Sequence, residues 1–209
     1  PEHLLQFGHM GAVFAHEILG IDDPVVRLLS IGEEDEKGNQ LTLEANELLR
    51  TSTLRFEGNT ESRTLLEGEA DVVVCDGFTG NVALKALEGT IRTILESLRS
   101  ELESSFRGRL GGLLIRPAAR SIRKRLDPDT YGGAYLLGLR GLSVIAHGNS
   151  SRRAIENAIR LAARLMRSPT PFAFFGASAS PSSVSVLAAW LYSLPTSSIC
   201  ATSAESPRR

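Results

Sequence analysis

At 209 residues, with 42% hydrophobic and 22% charged side chains, the chain is long enough to bury one sizeable core and is ordinary in composition for a globular protein. A formal net charge of -1 argues against a general nucleic-acid binder. Two distant cysteines, Cys75 and Cys200, make neither a disulfide framework nor a metal site. The opening residues carry no signal-peptide pattern and no apolar run is long enough to span a bilayer, which predicts a cytoplasmic protein. The first residue is Pro1, in what reads as mid-element, so a fragment or a processed product is expected.

Taken in order, Leu4 to Leu19 places Leu4, Leu5, Phe7, Val13, Phe14 and Ile18 at helical spacing, with Gly20 as terminator. His3, His9 and His16 fall within it too far apart to form a tight ligand pair. Asp22-Asp23-Pro24 is a turn, and Val25 to Ile31 reads as a buried strand ending in Gly32-Glu33-Glu34. A polar loop from Asp35 to Asn39 leads to an amphipathic helix over Leu41 to Leu49. Leu54 to Glu57 is a short strand running into Gly58-Asn59-Thr60-Glu61.

Val72-Val73-Val74 is an apolar β-branched run suited to a strand buried on both faces. It breaks at Asp76-Gly77, and beyond Thr79-Gly80-Asn81 the apolar spacing changes to Val82, Leu84, Leu87 and Ile91. That change of period marks a strand–loop–helix turn. With Thr79 or Asn81 as cap, backbone N–H groups would face the space above the strand end, a natural seat for an anion. A plain βα connection is the alternative. From Leu84 to Phe106 the apolar residues keep close to a 3.5-residue step. Gly108, Gly111 and Gly112 then break the pattern, among Leu110, Leu113, Leu114 and Ile115. Arg107, Arg109, Arg116, Arg120, Arg123, Lys124 and Arg125 make this neighbourhood basic, and Pro117 suits the first turn of a returning helix. The reading is a helical hairpin over about 84–126, its stem available for dimerisation and its tip, Leu110, Leu113, Leu114 and Ile115, for an anionic membrane surface.

A fourth strand is predicted over Leu142 to Ala146, ending in His147-Gly148-Asn149-Ser150 before a helix from Ser151 to Met166. The fold class expected from these elements is α/β, with an open sheet. In such sheets ligands bind beyond the carboxyl ends of the strands, so the four loops GEE, GNTE, DGFTGN and HGNS should crowd one crevice.

ADVVVCDGFTGNVALKALEG, with VRLLSIGEE, FEGNTES, the Tyr131-Gly132-Gly133-Ala134 stretch, Leu136-Leu137-Gly138 and IAHGNS, closely resembles the bacterial phosphate acyltransferase family, over Pro1 to about Met166 and in that family's C-terminal half only. The resemblance implies a doubly wound sheet with helices on both faces, like that of phosphate acetyltransferase and isopropylmalate dehydrogenase, in a homodimer resting peripherally on the membrane. It implies attack of inorganic phosphate on the thioester of acyl-acyl carrier protein, giving acyl phosphate for phospholipid synthesis, with no cofactor and no metal. It places Gly77, Thr79, Gly80 and Asn81 at the phosphate or acyl phosphate, with Asn59, Glu61, His147, Gly148, Asn149 and Ser150 lining the same crevice. Asp76 would orient the loop or a donor, Lys85 offset phosphate charge, and His147 act as acid toward the leaving thiolate.

The family's N-terminal half has no counterpart here, which predicts weak activity or none for the chain alone. A non-catalytic dimerising or membrane-resting product therefore stays open. So does an isopropylmalate-type dehydrogenase, although no G-x-G-x-x-G follows a strand. Residues 1–167 form the family-like domain. Residues 168–209, rich in Ser, Ala and Pro, read as a disordered tail or a wrongly framed translation.

Overall fold

A computed structural model describes residues 1–125, 133–139, 142–145 and 150–167. It is a mixed α/β structure in which a parallel sheet is flanked by helices. Helix α1 (Glu2–Phe14) continues through a π-helical turn, Ala15–Leu19, and stops at Gly20. There the backbone turns left-handed (φ 75°), a conformation that glycine adopts without steric cost. Strand β1 (Val26–Leu29) leads to α2 (Gln40–Arg50), β2 (Phe56–Thr60) and β3 (Val72–Val74). The long α3 (Gly77–Ser104) and α4 (Phe106–Arg125) follow, then β4 (Ala134–Tyr135), β5 (Val144–Ile145) and α5 (Arg152–Arg167).

The three longer strands lie in the order β2-β1-β3, all parallel. Alternating residues sort to the two faces. Val26, Leu28, Val72 and Val74 pack with Leu4 and Ala15 and with Ala45 and Leu49 of α2. Leu29, Val73 and Cys75 pack with Leu84 of α3. A third cluster joins Phe14, Tyr135 and Leu137, where the rings of Phe14 and Tyr135 meet in a tilted contact 4.9 Å between centroids. The Tyr135 hydroxyl donates to the carbonyl of Leu161 (3.0 Å), tying β4 to α5, and burial pushes its pKa up despite the opposing charge of Arg164.

Three expectations need correction. β2 begins and ends later than the apolar run suggested, so Gly58, Asn59 and Thr60 are strand residues. Gly58 takes a positive φ of 87° at a register shift between Val26 and Leu28, so this glycine makes a bulge, not a turn. β5 does not join the parallel sheet; it pairs antiparallel with β4, a strand the sequence pattern did not reveal. The long helix breaks at Ser105, whose backbone is extended, and Gly108, Gly111, Gly112 and Pro117 all lie inside α4. Gly108 is needed there for close approach, because a Cβ would stand 2.6 Å from the Leu102 carbonyl oxygen.

α1 presses against β3 at Gly11, where an added Cβ would fall 2.6 Å from Val72 Cγ1. Val72 is buried and stiff at χ1, so it cannot swing aside. Gly11→Ala should therefore destabilise the fold by about 1 kcal/mol, the overpacking cost exceeding the helix-propensity gain. Gly89→Ala, at an α3 position with nothing within 4 Å, should gain up to about 1 kcal/mol. Urea unfolding of the two variants checks the opposite signs.

Candidate functional site

Parallel strands end at one edge, so the loops after β1, β2 and β3 share it. The register fixes this closely: Leu28 lies opposite both Asn59 and Val74, and Leu29 opposite Thr60. The Ser30 amide then donates to the Thr60 carbonyl (2.9 Å), carrying the β1–β2 contact into the loop.

At the end of β3, Asp76 is the N-cap of α3. One carboxylate oxygen accepts from the amides of Phe78 (3.0 Å) and Thr79 (2.9 Å), and the nearby Thr79 hydroxyl also favours the charged carboxylate. The Gly80 amide donates to the Asp76 carbonyl. Burial alone would push this carboxyl up, but those hydrogen bonds outweigh it and hold the group below the usual carboxylate range. The cap is thus Asp76, two positions past the end of β3, in place of Thr79 or Asn81. The amides that would have faced an anion are occupied by a carboxylate of the chain itself. Thr79 and Asn81 have exposed positions in the first turns, Gly80 is buried, and Lys85 pairs with Glu88 at 3.7 Å. Cys75, just before the cap, is buried; burial first and the Asp76 charge second push its thiol up to about 12, so it is inert near neutral pH.

At the end of β2, Asn59 is fully buried. Its Oδ1 accepts from Asn46 Nδ2 (2.9 Å) and its Nδ2 donates to the Glu34 carbonyl (2.8 Å). Glu61 holds Arg63 Nε at 2.6 Å, and Arg63 also reaches Glu33 at 3.8 Å, so an arginine bridges the β1 and β2 loops. Asp35 accepts from Asn46 (3.3 Å) and pairs with Arg50. Arg63, Asn46, Asp35 and Arg50 were not singled out from the sequence. Arg63 directly follows the quoted FEGNTES motif, two residues after Glu61, and that proximity was the one available signal. Ser150 is described, half-buried ahead of α5. His147, Gly148 and Asn149 lie outside the described residues. Because β5 belongs to the smaller sheet, three strand ends and not four form the parallel edge among the described residues. Among the described residues there is no group of His, Cys, Asp and Glu that would hold a metal ion.

On α4, Leu110, Leu113, Leu114 and Ile115 are exposed, Leu114 at 78%, beside Arg107, Arg109, Arg116 and Arg120. No helix among the described residues is long and apolar enough to cross a membrane.

The fold and its edge define an α/β protein of the class that handles ligands beyond the carboxyl ends of parallel strands. The family model described as fatty acid synthesis protein matches residues 1–171, and the chain belongs to that family. It is similar to the phosphate acyltransferase of Heliobacterium modesticaldum, 51% identical over 162 residues, covering 78% of this chain and 48% of the relative. It is also similar to the phosphate acyltransferases of Thermodesulfovibrio yellowstonii (47% over 167 residues, 80% and 48%) and Clostridium tetani (46% over 160 residues, 77% and 48%). The chain spans about half the length of the relatives it matches.

The Asp76 cap gives a signed prediction. Its folded-state pKa is lowered, so the ionised carboxylate stabilises the fold above the unfolded value of about 3.9 and that contribution is lost as pH falls through the folded value. Asp76→Ala should cost about 1 kcal/mol at pH 7. The gap from wild type should close below about pH 4, as read by thermal unfolding across the range.

Proposed function

We propose that this chain serves phosphate acyltransfer, moving the acyl group of acyl-acyl carrier protein to inorganic phosphate to give acyl phosphate for phospholipid synthesis. The observation that carries the reading is the 51% identity over 162 residues to a phosphate acyltransferase. Family membership also favours it over the dehydrogenase alternative.

In the reaction a phosphate oxygen attacks the thioester carbonyl carbon. The C–O bond forms and the C–S bond breaks. The carrier's thiolate leaves as a thiol, taking the proton that hydrogen phosphate gives up. The tetrahedral intermediate carries an oxyanion that needs fixed donors. With Asp76 and Thr79 holding the first turn of α3, the Asn81 side chain and Lys85 supply donors to phosphate, with the Gly77 and Gly80 turn shaping the approach. Glu61 acts through Arg63, which it holds at the same edge. His147 serves as acid toward the thiolate. The sheet belongs to a doubly wound domain over 1–167, distinct from residues 168–209.

Two copies pair through the apolar stripe of α3, where Ile94 and Leu98 are exposed. α3 and α4 form the projecting hairpin, and the exposed leucines and arginines of α4 rest on the anionic inner face of the cytoplasmic membrane. The test of the chemistry is a chimera in which residues 1–167 replace the matched segment of the Heliobacterium modesticaldum relative. It should form acyl phosphate, trapped by hydroxylamine, and Asn81→Ala should slow it about 100-fold. A folded chimera without turnover overturns the assignment. For the membrane, the chain should float with phosphatidylglycerol vesicles at low salt, and Leu113→Glu with Leu114→Glu should release it. Equal flotation of that variant would remove α4 as the contact.

A further inference from the structure

We propose that Asn46 and Asn59 are a pair of positioning residues: together they clamp the loop over residues 31–38 against the sheet edge, and Asn59 acts through that loop without touching phosphate. The inference rests on reading this edge as the phosphate site. Asn46, on α2, is 4% exposed and Asn59, on β2, is 2% exposed, so neither amide is open to a ligand.

A backbone carbonyl orients the whole chain of bonds. The Glu34 carbonyl can only accept, so Asn59 must turn its Nδ2 toward it (2.8 Å). That leaves Asn59 Oδ1 facing α2, where it can only accept, and Asn46 must answer with its Nδ2 (2.9 Å). The same Nδ2 reaches Asp35 at 3.3 Å, and Asp35 is paired with Arg50 one turn further along α2. The Glu34 carbonyl also accepts from the Lys37 amide (3.0 Å), and the Ser30 hydroxyl donates to the Lys37 carbonyl (2.8 Å), closing the loop across its mouth. β2 and α2 therefore grip one turn, Glu34-Asp35, from two sides. That turn carries Glu33 to the Arg63 bridge, so the clamp fixes one end of that bridge.

A buried hydrogen-bonded pair acts as a unit, because losing either member strands the other's buried group. Asn46→Leu and Asn59→Leu keep the branched shape and remove every polar atom, and Asn46→Ser with Asn59→Ser provide milder versions should a leucine variant unfold. In folded variants of the full chain, amide hydrogen exchange over residues 31–38 should speed up at least about tenfold. Inorganic phosphate, titrated by amide NMR shifts, should bind about tenfold more weakly in either single variant and no more weakly in the double variant. Unchanged exchange in both single variants overturns the clamp. So does loss of phosphate binding in Asn59→Leu with wild-type binding in Asn46→Leu, the pattern of a direct ligand. Should the wild-type chain bind no phosphate, the phosphate-site reading fails, while the exchange rates still uphold or overturn the clamp.

Discussion

The structure depends on β1 being paired on both sides. Val26 to Leu29 bond in parallel to β2 and to β3, so its backbone groups are satisfied where water cannot reach them. Val26 and Leu28 are fully buried and Leu29 nearly so, and within the strand only Arg27 keeps partial exposure. Parallel pairing on both flanks has a directional result. Each strand must return by a crossover, and every carboxyl end comes out at the same edge. The loop tied by Ser30, the Arg63 bridge and the Asp76 cap are neighbours for that reason, whatever their separation along the chain. Arg27 shows the strain of the arrangement. It shares a face with Leu29, pairs with Glu57 (3.8 Å) and Glu69 (3.5 Å), and keeps a buried Nε without a hydrogen-bond partner.

Much of this was legible in the sequence because the signals were local. The valine run of β3, the left-handed Gly20 and the helical spacing of Leu4 and Phe14 each follow from a few adjacent residues. What misled was punctuation whose meaning depends on distant partners. Gly58 reads as a turn until β1 is placed beside it, when it becomes a bulge that lets the strand run on to Thr60. Gly108, Gly111 and Gly112 read as a break, yet Gly108 is glycine because the end of α3 leaves no room for a side chain. The break falls at Ser105, a residue with no such signature. Two-residue β4 is too short to show a period at all, and β5, expected as a strand, carries no local sign that it pairs with β4.

Site residues divide along the same line. The motif loops could be found, but which atoms remain available within them could not. Thr79 and Asn59 each looked like contacts for a ligand, and Asp76 like a residue that orients the loop. In the fold, Asp76 and Thr79 satisfy one another across the start of α3, and Asn59 is closed between α2 and the Glu34 carbonyl. Such roles need a second partner from another element, and spacing along one chain does not supply it. Arg63 was missed for the converse reason. An exposed arginine between carboxylates is unremarkable in sequence, and only the β1 loop brings Glu33 to its other side.

The electrostatics of this edge then take a particular form. Glu33, Glu34, Asp35 and Glu36 sit together after β1, a crowd of carboxylates that on its own would repel phosphate. Yet Glu33 and Glu61 both face Arg63, Asp35 faces Arg50, and Asp76 is held by amides. The field that an approaching anion meets is therefore much weaker than the count of acids implies. The basic side chains of α4 add little at this edge unless they come within about 10 Å, the screening length at 0.1 M salt. An anion at this edge would accordingly be held by short-range, geometric contacts and not by a net positive field. A loop held in place by buried amides matters more for such a site than an added positive charge would.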